Sequence, residues 1–310
     1  MAFDTKTFTR REAAGNVWLG KSGASDIAEI FARPDVAAYR YEILESEAAV
    51  GQAMLSELKA VAAEKSGDVT MLLLGGRGGQ AMYRIIAEKA KTDELDELLS
   101  RLHVFTQDAL APMRMDNNLS FVRDFERLLG DAFFSKIKSF TPMLTETDDL
   151  EGELIKYLEK LGELGGIDIF FLGLGPEANA ASHLCYIKPG SGAQFGDLAG
   201  IIQISETILE HHIAKFKVGG SSVSEADERE CRAATHILTL APAAILGAKK
   251  VVQSIVDAST APAKKVSFQR ILETEISDDL AIRAAQMDEN PGLWLRLHPN
   301  VRSLVLPDLF

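Results

Sequence analysis

From residue 45 onward, the apolar positions of the chain alternate between two spacings. Residues 48–64 repeat Ala, Val, Met and Leu at helical intervals, and Gly67-Asp68 then turns into Val69-Thr-Met-Leu-Leu-Leu74. A short, unbroken apolar run of this kind suits a strand covered on both faces, because neither face is left to water. The run ends in Gly75-Gly76-Arg77-Gly78-Gly79, after which a helix is predicted from about Gln80. Residues 102–105 repeat the strand pattern and residues 120–134 the helical one. Residues 151–164 predict an amphipathic helix stopped by Gly165-Gly166, and residues 167–172 a buried strand that leaves through Gly173-Leu-Gly175. Further strand candidates are 201–204, 237–240, 251–256 and 301–306. Strands alternating with helices predict an α/β fold with a doubly wound, mainly parallel sheet. Within it, 69–74, 102–105 and 167–172 are expected as neighbouring inner strands.

Residues 1–45 lack this rhythm. Arg10-Arg11-Glu12 precede a Gly- and Ser-containing stretch, and a short helical pattern at 26–32 meets Arg33-Pro34, where the proline should stop it. This segment reads as an N-terminal arm packing on the main domain or on another subunit, leaving one domain across 46–310.

Composition narrows the partners. The formal net charge of −12 argues against nucleic acid or an anionic membrane, since both attract basic surfaces. It leaves room for a small anion, whose binding a few local donors decide. Cys185 and Cys231 fit no metal spacing and are too few for a disulfide framework, which points to a reducing compartment. The N-terminus lacks an apolar leader and no apolar window approaches the length of a membrane span, so a cytoplasmic protein is expected.

In an open α/β sheet, ligands bind at the carboxyl ends of the strands. Three segments leave predicted strands there with unusual residues. In Gly75-Gly76-Arg77-Gly78-Gly79, glycines let backbone N–H groups converge on an anion at a helix N-terminus, and Arg77 adds a bidentate donor. In Phe105-Thr-Gln-Asp108, a partly desolvated carboxyl group could move a proton. The segment Gly173 to His183 supplies Glu177, Asn179 and His183 close to another strand end. His211-His212 lies in a polar helix at 206–217, where adjacent residues do not share a face, so metal binding there is not expected. The acidic run at 225–230 reads as a helix with a solvated face, and His298, before a proline, as a structural cap.

In order, these segments resemble the glucosamine-6-phosphate deaminase and 6-phosphogluconolactonase superfamily. Gly75 to Gly79, with Tyr83 following, stands where that family has its Gly-Ser-Thr-Pro phosphate loop and nearby tyrosine. Phe105-Thr-Gln-Asp108 stands where the deaminases have Phe-Asn-Met-Asp-Glu-Tyr, so Asp108 falls on the aspartate that moves a proton between sugar carbons 1 and 2. Gly165-Gly-Ile-Asp-Ile-Phe-Phe-Leu-Gly-Leu-Gly175 is similar to the strand before the family's Asp-Gly-His motif, and Leu295-Arg-Leu-His-Pro to the Leu-Gln-Leu-His-Pro ending of the deaminases.

Departures accompany the matches. Glu177-Ala178-Asn179 replaces Asp-Gly-His, leaving an asparagine, which cannot shuttle a proton, where the histidine is expected. The loop Ser-Thr becomes Arg77-Gly78. The basic residue expected before the 237–240 strand is Thr235, with Arg232 one helical turn earlier, and Lys188-Pro189 stands for a glutamate before proline. The resemblance implies a three-layer sandwich and a sugar-phosphate isomerase or deaminase activity without metal or organic cofactor. Asp108 would relay the proton, with Glu177 and His183 replacing the lost acid–base pair. Gly75, Gly76, Arg77, Gly78 and Gly79 would hold the phosphate, with Asn179 and Arg232 as further substrate contacts. A non-catalytic sugar-phosphate-binding regulator and a 6-phosphogluconolactonase-like hydrolase are the alternatives, and a homo-oligomer stays open.

Overall fold

The structure, a computed structural model, describes residues 8–21, 25–32, 39–178 and 181–310. The strands in chain order are β1 (Phe8–Ala13), β2 (Asn16–Lys21), β3 (Tyr41–Ile43), β4 (Val69–Leu73), β5 (Leu102–Thr106), β6 (Asp108–Ala111) and β7 (Ser139–Thr141). They continue with β8 (Ile169–Leu172), β9 (Leu174–Ala178), β10 (Ala181–Leu184), β11 (Asp197–Gln203), β12 (His236–Leu240), β13 (Lys250–Ile255) and β14 (Val301–Val305).

Seven strands form a parallel sheet in the order β3-β14-β13-β8-β4-β5-β7. The three inner strands expected as neighbours, β8, β4 and β5, are neighbours. Every residue of all three is buried, as their unbroken apolar runs require. Alternate residues serve opposite cores. Val69, Met71 and Leu73 pack with the helices Glu47–Glu64, Arg77–Ala90 and Phe121–Phe134, whereas Leu72 joins Phe105, Phe170 and Val305 on the other side. That second core takes in Leu154, Leu158 and Leu161 of the helix Leu150–Glu163, so helices cover both faces.

Two predicted strands lie elsewhere. The runs at 201–204 and 237–240 belong to β11 and β12, which pair antiparallel in a separate five-stranded sheet of order β1-β2-β11-β12-β6. An apolar run reports burial but not direction, and here the strands are buried against Trp18 and the same inner core that backs the main sheet. Segments before residue 45 contribute to both sheets: β1 and β2 form a hairpin on β11, and β3 pairs with β14 at the edge. The short helix Ser25–Ala32 matches the helical pattern read at 26–32; the proposed stop at Arg33-Pro34 lies outside the described residues.

Several helix starts follow from single side chains. Ser46, Ser120 and Ser205 each accept the N–H three residues on, at 3.2, 3.1 and 3.2 Å. Ser224 and Asp227 close a reciprocal capping box on the acidic helix Glu225–Arg232. Among the described residues, no helix is long and apolar enough to cross a membrane.

The amino ends of β4, β8 and β13 are tied by one buried carboxylate. Asp168 accepts from the Thr70 N–H at 2.8 Å and from Lys65 and Lys249 Nζ, each at 2.7 Å. Burial pushes this carboxyl up, but the two lysines and the amide outweigh it and hold it below the ordinary aspartate value. A lowered folded-state pKa means that the stabilisation is complete above the unfolded-state value, near pH 4, and disappears as pH falls through the folded one. Asp168→Asn should therefore cost about 1.5–3 kcal/mol at pH 7, the range for hydrogen bonds to a charged group. The difference from the native chain should shrink towards pH 3. Urea denaturation at the two pH values checks it; a pH-independent difference would assign the cost to packing.

Candidate active site

A cleft opens where β4, β5, β8 and β13 end. After β4 the chain turns through Gly75 and Gly76, whose φ of +73° is left-handed backbone that a side chain would strain. The helix begins at Arg77 rather than near Gln80, so Arg77, Gly78 and Gly79 form its first turn and not a free loop. Glycine suppresses helix propensity, which is why the sequence reading placed the start late. Gly75, Gly76, Arg77 and Gly78 line the cleft, and Gly79 packs beneath it, against Tyr83. Tyr83 donates to the Leu74 carbonyl at 2.7 Å, fixing the strand exit from below. Arg77 turns towards Glu47, which accepts from Nη2 at 2.5 Å and Nε at 3.1 Å.

β5 ends at Thr106, and β6 of the second sheet starts at Asp108, so the chain changes sheets at Gln107. Asp108, 2 % exposed, stands at that junction opposite Thr239 of β12 and faces the cleft. Burial raises its carboxyl well above the ordinary value, opposed only by a hydrogen bond from Gln107. Desolvation thus favours the neutral form of this carboxyl relative to an exposed aspartate.

Beyond β8, strands β9 and β10 form a hairpin that sets His183 against Gly175. A Cβ on Gly175 would lie 2.2 Å from Cε1 and Nε2 of His183, so only glycine leaves room for the ring. Burial, reinforced by His211, Lys264 and Lys188, holds His183 neutral, well below the usual histidine pKa. His211 and His212 also line the cleft, from the helix Glu206–Val218. Burial takes both down to about 4; for His211, Lys264 and Lys215 add to it.

The fourth strand exit holds the ions. Asp257, just beyond β13, accepts from Lys264 and lies 3.2 Å from Lys215 Nζ. Lys264, 7 % exposed, belongs to the helix Ala263–Glu273, and Lys215 to Glu206–Val218. Burial pulls the Lys264 ammonium below its ordinary value, with Asp257 opposing; burial pushes Asp257 up, but the two lysines outweigh it and keep it ionised. With Arg77, three cations thus meet two carboxylates, Asp257 and Glu47. The cleft is locally positive within a chain of net charge −12.

The expected site residues divide accordingly. Asp108, His183 and the turn at Gly75 to Gly78 share the cleft. Glu177 does not line it; on β9 it lies half-buried beside Lys188 and Ser205, with its carboxyl raised chiefly by burial. Arg232 points away to Glu210 and Glu228 on the exposed surface. Asn179 lies outside the described residues. His298 caps a chain turn, bonded to the Ala248 carbonyl at 2.7 Å and the Asn300 N–H at 3.0 Å. Lys215, Asp257 and Lys264 were missed. Their signal was an Asp just past a predicted strand, followed by Pro262-Ala-Lys264-Lys265, a fourth strand exit of the same kind as the other three.

No family model matches the chain. A glucosamine-6-phosphate deaminase from Bacillus pumilus is 27% identical over 198 residues, 64% of this chain and 69% of that one. One from Clostridium beijerinckii is 25% identical over 249 residues, 80% of this chain and 88% of that one. Among solved structures, a monomeric glucosamine-6-phosphate deaminase superposes with a TM-score of 0.66 at 20% identity, covering 87% of this chain and 98% of that one. A 6-phosphogluconolactonase from Shewanella baltica gives 0.60 at 15% identity, with the same coverage.

Gly175→Ala should drive the His183 ring from its seat and cost about 1–3 kcal/mol, as overpacking of a filled site does. Chemical denaturation and a crystal structure of the variant check this; an unmoved ring at unchanged stability would show a loose wall. In sequence the chain is similar to glucosamine-6-phosphate deaminases, and its fold is the one seen in solved glucosamine-6-phosphate deaminase and 6-phosphogluconolactonase structures.

Proposed function

We propose that the cleft binds a phosphorylated sugar and acts on it by proton transfer next to a carbonyl, in the manner of a glucosamine-6-phosphate isomerase or deaminase. The observation that carries this reading is one cleft containing both a buried carboxyl with a raised pKa, Asp108, and a lysine pair, Lys215 and Lys264, that Asp257 alone does not neutralise. Fixed ammonium groups beside the first turn of the helix Arg77–Ala90 suit a phosphate, whose charge they and the free N–H groups would share. Of the two acids lining the cleft among the described residues, Asp257 is engaged by the lysines, which leaves Asp108 to carry the proton. The substrate named for the relatives, glucosamine 6-phosphate, is the first to assay. All lining residues come from 46–310, which supports that segment as the sugar-phosphate-binding part of the chain. A cytoplasmic location accords with two buried free cysteines. Self-association belongs to the same proposal, and sedimentation decides it.

The regulatory reading draws on one observation: Glu177, expected as part of the acid–base pair, is absent from the cleft wall. Thermal stabilisation by glucosamine 6-phosphate without turnover would favour it.

Lys264→Met should weaken sugar-phosphate binding by about 1.5–3 kcal/mol, the range for a hydrogen bond to a charged group. Arg77→Ala should cost less, because Glu47 already holds that guanidinium. Calorimetry with glucosamine 6-phosphate separates the two, and the reverse order would move the phosphate to Arg77.

Asp108→Asn should abolish turnover while binding stays nearly intact, since it removes a proton carrier and little volume. Because burial raises the Asp108 pKa, the ionised form needed to take a proton from carbon appears only well above the usual carboxyl range. In the native protein kcat/KM should therefore rise with pH through that midpoint. A flat profile, or an active Asn variant, would remove Asp108 from the chemistry.

A further inference from the structure

The cleft leaves open what its histidine does. His183 and Tyr186 stack, with ring centroids 4.3 Å apart and planes 14° from parallel. Between them runs a tight turn closed by reciprocal bonds of Leu184 and Ile187, at 3.1 and 2.8 Å. Its central residues, Cys185 and Tyr186, take left-handed backbone with φ of 48° and 58°, unusual for side chains of this size. Thr239 holds the turn by donating to the Cys185 carbonyl. The consequence is local and specific: the Tyr186 N–H points at Nδ1 of His183, 3.0 Å away.

A backbone amide can only donate, so Nδ1 must accept and cannot carry a proton. The proton of the neutral ring is then on Nε2, which has no hydrogen-bond partner among the described residues and belongs to a side chain lining the cleft. A general base at Nε2 would need the opposite tautomer, and an imidazolium would set its Nδ1–H against the amide.

We propose that His183 is a fixed neutral hydrogen-bond donor, presenting Nε2–H to the substrate oxygen on which negative charge develops, and not a base or a proton shuttle. This rests on the proposed sugar-phosphate chemistry and assigns the histidine within it: Asp108 moves the proton, and His183 polarises the oxygen. A neutral imidazole donates without giving up its proton, as electrostatic stabilisation of a developing oxyanion requires. The surrounding groups agree. His211 from the helix Glu206–Val218, Lys264 from Ala263–Glu273 and Lys188 all disfavour a positive ring; Glu177, on the paired strand β9, is not among the groups that shift it.

Imidazole ¹⁵N NMR on the unaltered protein tests the state directly, with the His183 signal assigned through its contact with the Tyr186 ring. The expected result is a neutral ring protonated on Nε2 from about pH 5 to 8, the range in which a free histidine titrates. A midpoint inside that range, or a proton on Nδ1, overturns the proposal. Kinetics add a second readout: H183A should lose on the order of 10²–10³-fold in kcat, the loss seen when one oxyanion donor is removed. H183Q, which keeps an N–H donor, should lose clearly less, and equal losses overturn the proposal. If the native chain turns over no sugar phosphate, the proposed reaction fails, and the spectrum still decides the state of His183.

Discussion

Burying Lys264 and Asp257 together sets the character of the cleft. An ammonium and a carboxylate taken out of water each carry a desolvation cost that only close pairing offsets. Lys264 makes that pair, and Lys215, reaching the same carboxylate from another helix, leaves the group with an excess of positive charge. The cluster therefore holds three elements together, the exit of β13 and the helices Glu206–Val218 and Ala263–Glu273. At the same time it keeps an unfilled demand for an anion. A third carboxylate in its place would make a better-balanced structural cluster and a poorer binding site.

The second constraint is topological. At Gln107 the chain leaves the parallel sheet and enters the antiparallel one within a single residue, so Asp108 is wedged where the two sheets meet. A carboxyl group in such a position is largely withdrawn from water, and that burial raises its pKa well above the ordinary value. The perturbed group thus results from the architecture rather than from a dedicated charge partner.

How much of this was legible in sequence depended on what each pattern encodes. The runs that became β4, β5 and β8 were readable because burial on both faces demands continuous apolar residues. The strands β11 and β12 were readable as strands but not as members of another sheet, since pairing direction leaves no periodic mark. Asp108 and His183 were found because they follow strand exits. Lys264 follows one too, but eight residues beyond the end of its strand's apolar run at Val256, past a short 3₁₀ turn that carries no glycine signature. Glu177 was placed in the site by its neighbourhood in sequence. Gly175, not Glu177, stands against His183, and Glu177, two residues further along β9, has moved past the cleft to lie beside Lys188 and Ser205.

The charges sort into two kinds with different duties. Where a buried group has an opposite charge beside it, as Asp257 has in Lys264, the pair is ionised; where burial dominates, it raises the Asp108 carboxyl and lowers His183 and His212. Lys215 and Lys264 gather on Asp257 at the exit of β13, whereas Asp108 stands at the junction of the two sheets, so the ionic group and the buried carboxyl occupy different parts of the cleft. In the proposed reaction, binding rests on the first group and proton transfer on the second. On that proposal a homologue of this build could lose its chemistry and remain a sensor, because different buried groups would be responsible for binding and for proton transfer.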